Sequence, residues 1–302
     1  MSLLPAPSPT RTLGPGGKVV STLAWGMWRF TGDDVGAAQA LVEAAFAAGI
    51  TLFDTADIYG FNGSGGFGDA EVLLGKVVKT APALRADMVL ATKGGIMPPL
   101  PYDQSRDYLT SALDASLTRL GIDHVDLWQV HRPDVLTHPQ ELARTLEDMV
   151  KSGKVGAIGV SNFSHAQIAA LSHYLTIPLA TTQPEISALA IEPIENGLLD
   201  QAMMLGSAVL AWSPLGQGRI AHPTTKRELD VAEALDAVAT AHGVSRTAAA
   251  YSWIMAHPAG IIPIVGSQQA ARIAEAADAY KVRWSRTEWY KVLTAARQEP
   301  LP

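Results

Sequence analysis

Short apolar runs, each ending in a residue able to donate, accept or carry a proton, set the tightest limit on what this chain can fold into. TLFDT (51–55) holds Asp54, with Tyr59 five residues on. VLATK ends at Lys93, VDLWQVH ends at His131, and VGAIGVSN closes on Ser161 and Asn162. Each run is rich in Val, Ile, Leu or Thr, and a segment of helical period separates it from the next. Near-continuous apolar runs of this length belong to strands buried on both faces, the condition of a parallel sheet covered by helices. In a closed barrel of such units, residues at the carboxyl ends of the strands converge on one mouth.

The alternation continues along the chain. Strands are expected at 21–27, 50–54, 88–93, 125–131, 155–160, 179–183, 207–214 and 261–266. The first intervening helix starts at Asp33-Asp34 and is stopped by Gly49. Others follow at 69–79, 105–120, 139–152, 164–174 and 196–205, then near 228–242 and 245–256, and at 268–279. RTLGPGGKVV (11–20) has the form of a β-hairpin around a glycine-rich turn, and 287–297 that of an extra helix. The length of 302 residues alone would allow about two domains. Eight β/α units without a linker instead predict one (β/α)8 TIM barrel, whose usual size is about 250 residues. Residues 11–302 form that single domain in this reading, with an N-terminal β-hairpin and extra helices, and 1–10 a loose tail.

Composition narrows the partners. Net charge is −6, and no basic stripe with interleaved aromatics is present, so no nucleic acid is expected. There are no cysteines, which removes disulfides, thiolate metal sites and a cysteine nucleophile. No run approaches about 18 apolar residues, and the proline-rich start lacks the form of a secretory signal. The expectation is a soluble cytoplasmic protein with no membrane partner, a monomer or weak oligomer.

Asp54, Tyr59, Lys93 and His131 share a strand-end position and suit carbonyl reduction. That reaction takes a hydride from one side and a proton from the other. A phenol holds its proton firmly, with a pKa of about 10, and a neighbouring ammonium lowers it. Lys93 supplies the ammonium, Asp54 fixes Lys93, and His131 orients the substrate oxygen. Taken singly, each has an ordinary reading as a turn, packing or loop residue; four on successive strand ends do not.

These residues and their flanks resemble the aldo-keto reductase family. DTADIYG (54–60), ATKGG, LWQVHRPD, GKVGAIGVSNF (153–163), WSPLGQGR (212–219) and VGSQQAARIAEA (265–276) follow the family order over residues 11–280. The details are similar to the branch holding YdhF-like bacterial oxidoreductases and potassium-channel β-subunits. The resemblance implies reduction of small-molecule aldehydes or ketones by NADP(H), with Tyr59 as general acid. It implies that Ser161, Asn162 and Gln183 hold the carboxamide and that Trp212 stacks on the nicotinamide. The backbone at Ser213, Pro214, Leu215, Gly216 and Gly218 would wrap the pyrophosphate, with Arg219 nearby. Gly266 would open a helix whose N-terminus favours anions. Ser267 and Arg272 would meet the 2′-phosphate, and Gln268 and Glu275 the adenosine. Gly266 and Ala276 depart from the lysine and asparagine many members carry, which weakens the implied preference for NADPH. Met27 and Trp28, just past the first strand, either line this site or simply pack.

Rival readings are available. Gly63–Gly68 fits G-x-G-x-x-G, yet its first glycine comes nine positions after the strand-end Asp54, so it lacks the setting of a dinucleotide fingerprint. No histidine spacing fits zinc, and no metal is expected. A cofactor-holding regulatory protein with little turnover is one alternative. A lyase forming a Schiff base on Lys93 is another.

Overall fold

The computed structural model describes residues 3–301. A hairpin comes first, β1 (Thr10–Thr12) pairing antiparallel with β2 (Val19–Ser21). The barrel strands and helices follow as β3 (Ala24–Gly26), α1 (Val35–Ala47), β4 (Leu52–Asp54), α2 (Asp69–Thr80), α3 (Ala83–Asp87), β5 (Val89–Gly94) and α4 (Arg106–Leu120). Next are β6 (Val125–Val130), α5 (Pro139–Lys151), β7 (Val155–Ser161), α6 (His165–Tyr174), β8 (Leu179–Gln183), α7 (Glu192–Glu195), α8 (Leu198–Leu205) and β9 (Ala208–Ala211). The chain ends with α9 (Lys226–His242), α10 (Arg246–Met255), β10 (Ile262–Val265), α11 (Ala270–Ala276) and α12 (Arg286–Arg297). Strands β3 to β10 close into an eight-stranded parallel barrel, with β10 pairing β3 to complete the ring. The fold is the (β/α)8 TIM barrel.

Two apolar layers follow from the strand period of two. Ala24, Leu52, Ala91, Leu127, Leu210, Ile262 and Ile264 fill the barrel, and the hairpin residues Leu13 and Val20 pack with them as a floor. Trp25, Phe53, Leu90, Trp128, Ile158 and Val209 alternate with these and pack against the helices. Helix ends follow local rules: Asp34, Ser105 and Ser164 cap α1, α4 and α6 through their side chains, and Gly121 ends α4 in the left-handed conformation.

Two expectations need amending. The tail expected to be loose is bonded from Leu3 onward. Leu3 bridges Ser285, the Leu4 N–H donates to the Trp284 carbonyl, and Thr22 donates to the carbonyls of Ser8 and Pro9; residues 1 and 2 lie outside the described part. The last barrel helix begins at Ala270 rather than 268. The Trp25 indole donates to the Ser267 carbonyl at 2.9 Å, and the Gln268 amide donates to the Gly26 carbonyl at 3.0 Å. Those bonds tie 266–268 to β3 before the helix can start, and Gln269 caps it in extended geometry. Gly266 therefore opens a loop, and α11 is only seven residues long.

Gly159 shows how tightly the interior is filled. A Cβ there would lie 1.9 Å from Thr181 Oγ1, whose hydroxyl donates to Gln129 Oε1 at 3.0 Å. Gly159→Ala is expected to cost about 1–3 kcal/mol by overpacking. Urea unfolding measures this, and an unchanged midpoint would show that the interior has slack.

Candidate active site

The inner wall of the barrel changes character one step above its apolar layer. Leu52 is followed two residues on by Asp54, Ala91 by Lys93, Leu127 by Gln129, and Leu210 by Trp212. The parallel registers align them: Asp54 sits opposite Ala91, Lys93 opposite Gln129, Gln129 opposite Gly159, and Ser161 opposite Gln183. Lys93 is fully buried in this polar layer. Its ammonium donates to Asp54 Oδ2 at 2.6 Å, to the Thr55 carbonyl at 2.8 Å and to the Tyr59 hydroxyl at 3.1 Å. All three of its donors are used, so the group is fixed in position. The other oxygen of Asp54 accepts from the amides of Gln183 at 3.0 Å and Gln129 at 3.3 Å.

Tyr59 lies past the end of β4, on a segment that continues along β5 through Thr55 N–H to Ala91 O and Asp57 N–H to Lys93 O. Its ring meets the edges of Trp28 and His131, with centroids at 5.3 and 5.8 Å. Burial pushes the Tyr59 phenol above its ordinary pKa, and Lys93 offsets this only in part. The lowering expected from the ammonium is thus present as a contribution and outweighed in the net. For Lys93 the balance runs the other way: burial opposes its charge, but Asp54 and Tyr59 together raise its pKa. His131 is held well below the usual histidine value by burial, and by the positive charges of Lys93 and Arg132. At neutral pH the site therefore presents a protonated phenol, a charged ammonium and a neutral imidazole. An amine kept protonated and triply hydrogen-bonded is poorly suited to attack a carbonyl, which counts against the Schiff-base reading.

A cleft of about 970 Å³ runs from this cluster across the barrel mouth. Asp54, Tyr59, His131 and Trp28 line one end; Ser161, Asn162, Gln183 and Trp212 line the middle. Asn162 knits the middle together. Its amide donates to the His131 carbonyl and to Ser161 Oγ, and its Oδ1 accepts from the Trp212 indole at 2.9 Å. Ser213, Pro214, Leu215 and Gly218 continue the wall, and Gly266, Ser267, Gln268, Arg272 and Glu275 form the far end. Asn162, Ser213 and Gln217 all carry positive φ, conformations that non-glycine residues adopt sparingly and that collect at functional sites.

Not every expected residue reaches the cleft. Met27 is fully buried in the outer apolar layer. Gly216 packs beneath Leu189, and Arg219 turns back to the Gly216 carbonyl, with Glu228 at 3.8 Å. Gly63–Gly68 lies away from the cleft, in a turn tied by Asn62 Oδ1 to the N–H groups of Ser64 and Gly65. Among the described residues Arg272 and Glu275 form no ion pair, and both face the cleft. Sequence reasoning missed Gln129, Thr181 and Arg132. Counting back in twos from His131 would have found Gln129, because Leu127, Gln129 and His131 share one face of β6 and its extension.

A match to the Aldo/keto reductase family spans residues 22–296. The 6-dehydroglucose reductase of Novosphingobium aromaticivorans is 66% identical over 304 aligned residues, covering all of both chains. Oxidoreductase YdhF of Escherichia coli K12 is 33% identical over 96% of this chain and 98% of its own. The solved structure of the thermostable aldo-keto reductase Tm1743 with the inhibitor epalrestat has a TM-score of 0.82 and 24% identity, covering 95% of this chain and 99% of that one. At that identity the likeness is one of fold. The chain belongs to the aldo/keto reductase family, a family of oxidoreductases, in the branch that includes YdhF.

One buried carboxyl stands apart from the cluster. Asp57 is 1% exposed, and neither of its oxygens has a hydrogen-bond partner among the described residues. Burial, reinforced by Glu71, raises its pKa well above the ordinary carboxylate range. The folded chain thus holds a proton at Asp57 that the unfolded chain releases, so this residue makes stability fall as pH rises above about 4. Asp57→Asn should gain more stability over the native protein at pH 8 than at pH 5, the advantage vanishing only below about pH 4. Urea unfolding at the two pH values tests this; an equal difference at both would mean that Asp57 is ionised in the fold.

Proposed function

We propose that the protein is an NADPH-dependent reductase of a sugar aldehyde, 6-dehydroglucose, acting with Tyr59 as general acid. The observation that carries this reading is the Lys93 ammonium bridging Asp54 and the Tyr59 hydroxyl beneath an open cleft. The substrate is inferred from the relative that is 66% identical along its whole length.

The residues present fit a nicotinamide dinucleotide. Trp212 is a clamped aromatic plate in the middle of the cleft, and Gln183 lines it with an oxygen left over after its amide donates to Asp54. Ser161 and Asn162 stand beside them. The turn through Ser213, Pro214, Leu215 and Gly218 is suited to a pyrophosphate. At Gly266 an added Cβ would meet nothing within 4 Å, so the backbone is open to the cleft. Ser267 and the guanidinium of Arg272, which forms no ion pair among the described residues, suit a 2′-phosphate through forked donors, and Gln268 and Glu275 suit the adenosine. Bound NADPH supplies the hydride.

This chain's own residues manage the proton. Tyr59 holds it on the phenol and releases it to the substrate oxygen as negative charge develops there. Lys93 stabilises the tyrosinate left behind, and Asp54 balances Lys93, so the buried charges change by one proton only. Neutral His131 donates one N–H to the same oxygen and fixes its direction.

The test is NADPH oxidation with 6-dehydroglucose. Tyr59→Phe should lower kcat by about 10²–10⁴-fold while thermal-shift titration with NADPH stays unchanged. Equal turnover by the variant would remove Tyr59 from the chemistry. Negligible native turnover across many carbonyls, with tight NADPH binding, would favour the regulatory reading. Because burial holds His131 well below its ordinary pKa and Tyr59 above its own, kcat/KM for reduction should be flat between about pH 7 and 9. A titration inside that window would contradict these protonation states.

A further inference from the structure

The substrate end of the cleft holds a guanidinium that the proton chemistry does not use. Arg132 follows His131 directly, and its backbone is pinned from two sides. Gln104 donates to the Arg132 carbonyl, and Asn162 donates to the His131 carbonyl. The side chain is half-buried, lines the cleft and lies over the Trp212 ring, 5.8 Å from its centroid. Among the described residues it makes no side-chain hydrogen bond and no ion pair, so its five N–H donors have no protein acceptor. Asp54 is bound to Lys93, and Asp134, two residues on, accepts from Leu136, Thr137 and Gln104. The charge is close enough to act on both Tyr59 and His131.

A partly desolvated arginine without an acceptor leaves polar capacity unused, which a ligand's oxygens can satisfy. Its planar fork spans two neighbouring oxygen atoms. The position beside His131 puts those oxygens on the part of the substrate just beyond the carbonyl. We propose that Arg132 is the specificity-determining residue of this cleft, binding paired hydroxyl oxygens and so selecting polyhydroxylated aldehydes over plain ones. The inference rests on the reductase reading and extends it from one sugar aldehyde to a chemical class. Its physical basis is that a site built to hydrogen-bond a substrate rejects an analogue lacking the groups it bonds.

The experiment compares substrates matched in carbon number, with and without hydroxyls: 6-dehydroglucose against hexanal, and glyceraldehyde against propanal. Each is reduced with NADPH by the native enzyme, Arg132→Met and Arg132→Lys. Arg132→Met should lose about 10- to 100-fold in kcat/KM on the hydroxylated member of each pair, mainly through KM. On the plain aldehydes it should change less than about threefold. Arg132→Lys should fall between, because an ammonium keeps the charge and loses the fork. Glucose binding to the NADP⁺-loaded enzyme, followed by tryptophan fluorescence, should weaken in the same order and reads the site without turnover. Equal losses within each pair, or no loss on either, would overturn the role of Arg132. If the native enzyme reduces glyceraldehyde but not 6-dehydroglucose, the named sugar falls while the glyceraldehyde–propanal pair still decides the inference.

Discussion

A buried ammonium needs a counter-charge, and the contact between Lys93 and Asp54 answers that need for the whole barrel mouth. Removing either partner would leave the other charged in a dry interior, a loss of about 3–5 kcal/mol in comparable cases. The arrangement around it follows from that constraint. Gln183 and Gln129 complete the hydrogen bonds of Asp54, Thr181 steadies Gln129, and Gly159 leaves Thr181 its space. The third donor of Lys93 is then directed at Tyr59. A structural requirement, that no charge be left unpaired, thereby aims a proton-holding group at the cleft.

The period of two that builds the barrel also sorts its chemistry. Inward positions low on the strands are apolar and hold the barrel together, while the next inward positions are polar and face the cleft. Outward positions such as Trp25, Phe53, Leu90, Trp128, Ile158 and Val209 are apolar and bind the helices, while Thr92 donates to Glu71 of α2. One sequence pattern therefore carries stability and reactivity in separate layers, and the hairpin floor seals the end away from the site.

Much of this was legible in the chain because strand-end residues are local features. Asp54, Lys93 and His131 close apolar runs, and the position of Tyr59 follows from the short stretch after Asp54. The contribution of Gln129 was hidden inside such a run, where only the inward phase of β6 distinguishes it from a buried strand residue. The net pKa of Tyr59 was hidden as well, since burial depends on the Trp28 and His131 rings packed around it from other loops. The start of α11 was misjudged because its delay comes from bonds to Trp25 and Gly26, more than two hundred residues away in the chain. Arg132 gave no signal beyond its place after His131; its meaning lies in the acceptor it lacks.

Those two bonds from the first barrel strand to the last have a mechanical side. The ring is sealed between β10 and β3 by only two residue pairs, Ile264 with Ala24 and Val265 with Trp25. The indole of Trp25 and the amide of Gln268 lengthen this seam with side chains just where the ladder runs out. The same few residues join the two termini of the barrel and border the far end of the groove. A molecule lying along that groove would act as a rivet across the joint, so filling it would tighten the protein's own closure.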